Sequence, residues 1–330
     1  MLVSVLIMAY NRKVFLIESI KSVLNQSVDR SNLEIIVIKN FEDSVIDKYC
    51  FEHAITNIIM EGTVGQYMQR GIEESSGEII AFLEDDDIFI QTKVERLIHY
   101  KIKTNFNFIH NNYEEIDISG KSRTKFMSKV HLTSYNFDFL EYSNELQKYE
   151  LKRMLKAEVD FNPSCIAISS DLGKRILSLI SRVNAGQDSF LFCVALEYKS
   201  VVLVGEVLTK YRVHNSTSNQ FENFLAQSRT LCQESKKQLE SLSLLSDVLS
   251  DKNAIKILEE MILSRKIKLK TFRCGKSNLK LDEFCIFLLN ALRSGNLNHI
   301  AWVFFLVNRI FFGKLINRFV FKLIETAINS

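Results

Sequence analysis

Glu84, Asp85, Asp86 and Asp87 are four carboxylates in unbroken succession, and they follow directly on the apolar run Ile79–Leu83. Like charges packed this closely repel one another unless a cation lies among them. Hard carboxylate oxygens suit Mg²⁺ or Mn²⁺, ions that also take diphosphate oxygens. The run is therefore a candidate for holding a metal that stabilises a diphosphate leaving group. A second account needs no metal: an acidic cluster ahead of a helix near Gln91 would complement that helix's dipole.

Chemistry at this point requires elements that bring partners to it. Leu2–Ala9 (LVSVLIMA) reads as a buried strand ended by Tyr10-Asn11-Arg12. Phe15–Gln26 shows helical spacing, and Glu34–Lys39 is a second buried strand ending in Lys39-Asn40. Gly65–Ser75 fits a helix stopped near Gly77, and Ile79–Leu83 is a third strand. Gln91–Lys101 is helical, Phe106–His110 extended, residues 120–160 polar and irregular, residues 171–199 helical and Val201–Val204 extended. From Phe221 onward the pattern is helical. Strands alternating with helices at this spacing predict an α/β fold with a doubly wound, mostly parallel sheet. Such sheets bind ligands beyond the carboxyl ends of their strands. Tyr10-Asn11-Arg12, Lys39-Asn40 and the acidic run all occupy such ends, so they are expected to share one crevice.

Composition narrows the partners. A net charge of +3 over 330 residues gives no case for nucleic acid. The charge is unevenly placed: from Ser250 to Ser330 there are 14 Lys and Arg against 6 Asp and Glu, so the remainder is net acidic. A basic stretch rich in Phe, Ile and Leu suits an anionic membrane surface. Solvated basic helices would give the same composition. Within it, Ala301–Val307 is strongly apolar, but Asn308, Arg309, Lys314, Asn317, Arg318 and Lys322 interrupt the stretch beyond it. A spanning helix needs about 20 apolar residues, so an in-plane interfacial helix is expected, or one packed on the catalytic domain or on a second subunit. The six cysteines form no CxxC pair and are read as free thiols in a reducing cytoplasm.

Three segments together carry a resemblance. VSVLIMAYNR (residues 3–12), GIEESSGEIIAFLEDDD (71–87) and VLTKYRVHNSTS (207–218) look, in order and spacing, like family 2 glycosyltransferases of the GT-A fold. The likeness covers about residues 1–220 and implies an inverting, metal-dependent transferase acting on a nucleotide-sugar. It implies that Ala9, Tyr10, Asn11 and Arg12 border the donor and that the acidic run is the metal-binding DXD element. On that register Asp86 meets the metal, and Asp85 lies near the ribose or metal. Asp188 falls where the family carries its catalytic base; read without the resemblance, it caps the next helix. The Tyr211-Arg212-Val213-His214 element implies Arg212 at the diphosphate and His214 as a further metal ligand.

Departures from the family pattern are equally visible. Lys39-Asn40 stands where an acidic residue often reads the base, so Lys39 is the donor-side expectation and UDP- and GDP-sugars both stay open. Gln69 stands where Asn is frequent, Glu84 replaces the usual first Asp, and Gln187 replaces the first acidic residue of the base pair. The organisation expected is a catalytic domain over 1–220 and a helical C-terminal region over 221–330. That region would contact the cytoplasmic face of a membrane or form a homodimer, and the acceptor would be a glycan or a lipid-linked carrier. Two rivals remain. A nucleotidyltransferase would carry a Gly-rich loop after the first strand, and Tyr10-Asn11-Arg12 has no Gly. A catalytically silent nucleotide-sugar-binding or scaffold subunit would tolerate the substitutions at Lys39, Gln69 and Gln187.

Overall fold

The computed structural model describes residues 1–123, 139–143, 151, 153–155, 159–213 and 224–271. They fall into two compact units, divided after Val213.

The first unit is a nine-stranded mixed sheet with helices on both faces. Its strands are β1 (Val3–Ala9), β2 (Leu33–Lys39), β3 (Thr56–Ile59), β4 (Ile79–Glu84), β5 (Ile88–Phe89), β6 (Phe108–Ile116), β7 (Phe139–Tyr142), β8 (Ile166–Ser169) and β9 (Val201–Arg212). Its helices are α1 (Leu16–Leu24), α2 (Ser44–Glu52), α3 (Val64–Glu74), α4 (Lys93–Thr104), α5 (Ser170–Ile180) and α6 (Gln187–Tyr198). The strand order is β3-β2-β1-β4-β8-β6-β9-β5, with β7 paired to β9.

β1 is buried along its whole length, which accounts for its unbroken apolar run. Side chains alternate along it. Val3, Val5, Ile7 and Ala9 pack with Leu16, Ile20 and Val23 of α1 and with Val94 and Leu97 of α4. Leu6 faces α3 on the other side, where a Cβ on Gly71 would come within 2.6 Å of Leu6 Cδ1. Gly65 lets α3 approach the end of α5: a Cβ there would lie 2.0 Å from the Ile180 carbonyl oxygen. Burying both faces is what makes this half of the sheet doubly wound.

The β3-β2-β1-β4 half is parallel, as the alternating pattern predicts. The other half mixes directions: β8 runs antiparallel to both β4 and β6, while β9 is parallel to β6. β8 has only four residues and β5 two, too short to show a period. β3, TNII, is likewise only four residues long and is partly exposed. The helical stretch 171–199 is two helices, broken where Gly186 takes φ 73°. β9 extends eight residues past Val204 and thereby brings Arg212 to a strand end.

The second unit, among the described residues, consists of α7 (Phe224–Ser243) and α8 (Lys252–Thr271). The two helices pack together, burying Leu242, Ala254, Ile257 and Ile267, and Arg265 Nε donates to Gln238 Oε1 at 3.0 Å. No helix among the described residues is long and apolar enough to cross a membrane. Cys50 and Cys165 are buried free thiols, as expected, and Cys193 is buried, but Cys232 is disulfide-bonded, which corrects the expectation for that residue.

Candidate active site

Register places the site. Parallel pairing sets Ala9 of β1 beside Lys39 of β2, and Met8 beside Glu84 of β4. Three chains therefore leave the sheet side by side. The end of β9 joins them from the far half, where Arg212 N donates to Asp87 Oδ1 at 2.9 Å.

The acidic run is divided in its duties. Glu84, Asp86 and Asp87 can each direct a carboxylate oxygen to one spot, all within 4.8 Å of one another. Asp85 turns aside to form a bidentate pair with Arg12. The chain turns directly after β4, the Asp87 amide donating to the Glu84 carbonyl at 3.3 Å, and this turn brings Asp86 and Asp87 back toward Glu84. Asp86 thus lies in a cluster with Glu84 and Asp87, while Asp85 faces an arginine. Burial, followed by the neighbouring charges of Asp86 and Asp87, holds the Glu84 carboxyl well above the usual range. Asp87, fully buried, is pushed up to about 7 by burial and then by Asp86. Carboxylates that resist ionising together and present hard oxygens at this spacing fit a divalent Mg²⁺ or Mn²⁺ ion.

Cationic side chains surround the run. Arg12, one-third exposed, also reaches Asp86 Oδ2 at 2.8 Å through Nη1. Arg212 is buried, and its guanidinium makes four hydrogen bonds to protein groups. Nε donates to the Asp86 carbonyl at 2.8 Å, Nη1 to the carbonyls of Asp117 and Ile118, and Nη2 to Glu18 at 2.6 Å. These donors organise the chain around Asp86 and the 117–118 turn. Lys39 is likewise held by protein groups. It is fully buried, its Nζ 2.8 Å from Asp47 and 2.5 Å from the Phe41 carbonyl. Asn40 stands at the end of β2 in its place, exchanging amide hydrogen bonds with Asn11, each 2.8 Å long. Asn11 takes φ 55°, a conformation Asn tolerates. Ala9 is buried, and Tyr10 is exposed, its ring 6.3 Å from that of Tyr67.

Asp188 lies in the first turn of α6, which no side chain caps; the N-cap is Gly186. The carboxylate accepts from the Ser189 amide at 2.8 Å, within its own turn. Its charge adds to those that raise Glu84, so the two carboxylates interact electrostatically. The segment 160–164 connects the two. Asp160 accepts from the Ser189 hydroxyl at 3.0 Å, Asn162 Nδ2 donates to Asp87 Oδ2 at 3.0 Å, and Ser164 Oγ accepts from the Glu84 amide at 3.0 Å. Nothing in the sequence singles out Asn162 or Ser164, because their roles depend on where β8 pairs. His214 lies outside the described residues.

Residues 4–171 match Glycosyl transferase family 2, and the chain belongs to that family. Relatives include an uncharacterized glycosyltransferase of Rickettsia bellii, 40% identical over 124 residues, covering 36% of this chain and 18% of that protein. A UDP-Glc:alpha-D-GlcNAc-diphosphoundecaprenol beta-1,3-glucosyltransferase of Escherichia coli is 33% identical over 128 residues, covering 35% of this chain and 47% of that one. The matches thus span about a fifth to a half of these relatives' lengths. Among solved structures, Staphylococcus aureus TarS 1–349 with UDP superposes at a TM-score of 0.55 and 11% identity, covering 92% of this chain and 83% of that one. A mannosyltransferase of Pyrobaculum calidifontis with GDP-Man and Mn²⁺ gives 0.54 at 10% identity, covering 93% and 84%. These likenesses establish the GT-A fold.

Proposed function

We propose that the chain transfers a sugar from a nucleotide-sugar to an acceptor hydroxyl with inversion, using Asp188 as base. The observation that carries the reading is the convergence of Glu84, Asp86 and Asp87 on one spot at the end of β4. A bound Mg²⁺ or Mn²⁺ would supply Lewis-acid stabilisation of the departing diphosphate. Glu84, Asp86 and Asp87 would hold it, with His214 the further ligand that the YRxH element implies. Ala9, Tyr10, Asn11 and Arg12 would border the donor, and the Asn11–Asn40 pair would fix the loop against which the base lies. Asp188 would take the acceptor proton as the hydroxyl attacks the anomeric carbon from the face opposite the leaving group.

The domain assignment belongs to the same proposal: catalysis within residues 1–220, attachment through 221–330. The Escherichia coli relative acts on a diphosphoundecaprenol acceptor by its description. A lipid-linked acceptor here would agree with the basic, aromatic-rich stretch beyond Ser250 and with work at the cytoplasmic face of a membrane. The reading is tested by thermal shift with UDP, GDP and their sugars, with and without Mn²⁺, followed by donor hydrolysis. Ligands that bind only the folded state raise its melting temperature. Metal-dependent shifts accompanied by turnover are expected. Shifts without any turnover would identify a silent binding subunit, and no shift with any nucleotide would sink the transferase reading.

A further inference from the structure

Lys93 opens α4 with its side chain wholly removed from solvent. Burying an amine is unfavourable unless hydrogen bonds offset the loss of water, and a methionine of similar length would sit there at less cost. Burial pushes this ammonium down to about 7. Its hydrogen bonds converge on one place. Nζ donates to the Ser164 carbonyl at 2.5 Å and to Thr209 Oγ1 at 2.9 Å, and Thr209 Oγ1 itself donates to the same carbonyl at 3.0 Å. The Phe89 ring lies beneath the amine, 3.9 Å from Nζ to its centroid.

Ser164 is the hinge between this buried amine and the acidic run. Its hydroxyl receives the Glu84 amide, and its own amide donates to Asn162 Oδ1 at 2.7 Å. Asn162, held at φ 64°, passes the connection on through Nδ2 to Asp87. His110 fixes the other side of the turn, Nε2 lying 2.8 Å from the Phe161 carbonyl. Burial pushes this imidazole down to about 4, so it is neutral and carries its proton on Nε2.

We propose that Lys93 is a positioning residue for the acidic run, acting through Ser164 and Asn162 to set where Glu84 and Asp87 present their oxygens. The idea rests on the metal-binding reading of that run, and its test separates the two. The full-length chain is compared with Lys93→Met, which removes the donors, and Lys93→Gln, which restores a neutral donor. Amide exchange is read at Glu84 and Arg212, whose N–H groups donate to Ser164 Oγ and Asp87 Oδ1. In Lys93→Met these two amides should exchange about tenfold faster, the scale of one lost buried hydrogen bond, with Leu6 and Ile36 unchanged. Mn²⁺ affinity, measured by the paramagnetic signal of free Mn²⁺ in the presence of UDP, should fall by a similar factor. The rate at saturating Mn²⁺ should hold within about threefold, a split that general loosening of the core would not give. Lys93→Gln should recover most of both losses.

Parental exchange at Glu84 and Arg212 in folded Lys93→Met would overturn the proposal. If that variant does not fold, Ser164→Ala decides: it keeps the carbonyl that Lys93 holds but removes the hydroxyl that holds Glu84. Parental Mn²⁺ affinity and Glu84 exchange in Ser164→Ala would break the connection and end the idea. A parent chain that takes up no Mn²⁺ would sink the metal reading alone, and the exchange rates would still judge the positioning.

Discussion

Arg12 lies across the acidic run, with Nη1 2.8 Å from Asp86 Oδ2 and Nε 3.0 Å from Asp85 Oδ2. One guanidinium thus neutralises the carboxylate that turns aside and touches one that does not. The two carboxylates separate cleanly by experiment. Asp86→Ala should abolish metal-dependent UDP or GDP binding while the melting temperature holds or rises, because one of four crowded carboxylates is gone. Calorimetry with and without Mn²⁺ checks this, and unchanged metal-dependent affinity in the folded variant would refute the assignment.

Lys39 offers the contrast of a cation that leaves the donor alone. Its Nζ is enclosed between Asp47 and the Phe41 carbonyl. Lys39→Met should lower stability by about 1–3 kcal/mol, less than for a fully buried pair because Asp47 remains partly exposed. The donor KM should stay within about threefold. A donor KM raised tenfold or more in a well-folded variant would return Lys39 to the binding surface.

The difference between Asp86 and Lys39 shows what a sequence can disclose here. Strand ends are legible because β1, β2 and β4 are long, apolar and parallel, so Ala9, Lys39 and the acidic run have to emerge side by side. Side-chain direction at those ends is not legible. Lys39 and Asn40 differ by one position, and only the seating of α2, through Asp47, decides which of them turns inward. Arg212 raises the same difficulty. Its partners Glu18, Asp117 and Ile118 come from α1 and from the turn after β6, remote in sequence. Asn162 and Ser164 give no signal of their own, because β8 is too short to show a period and pairs antiparallel inside an otherwise alternating fold.

Asp188 lies in the first turn of α6 and accepts from the Ser189 amide there, so a replacement that tests chemistry has to keep that hydrogen bond. Asp188→Asn keeps the size and an acceptor oxygen for the Ser189 amide. Donor affinity should stay near the parent value while turnover falls by about 100- to 10,000-fold, the range for a lost general base. Single-turnover rates with saturating donor and Mn²⁺ measure it. A variant within a few-fold of the parent rate would leave Asp188 as a local hydrogen-bond partner only.

The basic stretch from Ser250 to Ser330 begins on α8, whose last turn carries Lys268 and Lys270. The remainder of that stretch, from residue 272, lies outside the described residues. Each Lys or Arg near an anionic surface contributes about 1 kcal/mol, screened by salt, whereas apolar contact is not screened. The full-length chain should therefore sediment with vesicles containing phosphatidylglycerol, and high salt should release only part of it. Intact, folded protein remaining in the supernatant at low salt would assign this stretch to packing or to a second subunit.

Protons and metal compete for the same oxygens, which fixes the direction of a pH dependence. Asp87 sits at about 7 and Glu84 is also raised, both because burial and neighbouring carboxylates disfavour ionisation. A carboxyl raised in the fold retains its proton above the pH at which the unfolded chain releases it. Without metal, its contribution to stability is therefore present at low pH and is lost as pH rises through about 7. A divalent ion reverses this at high pH by compensating the ionised cluster, and it cannot do so below about 7 without displacing a proton. Mn²⁺ should thus raise the melting temperature clearly at pH 8 and progressively less toward pH 6. Its affinity should weaken by about tenfold per pH unit for each proton displaced. Lys93 and His110 also titrate, at about 7 and about 4, but both are present with and without metal, so their direct contributions largely cancel in the difference. Asp87→Asn removes the carboxyl that titrates near 7 and should flatten the profile between pH 6 and 8 while weakening binding throughout. A Mn²⁺-induced shift of equal size at pH 6 and pH 8 in the parent chain would mean that the ion is held elsewhere.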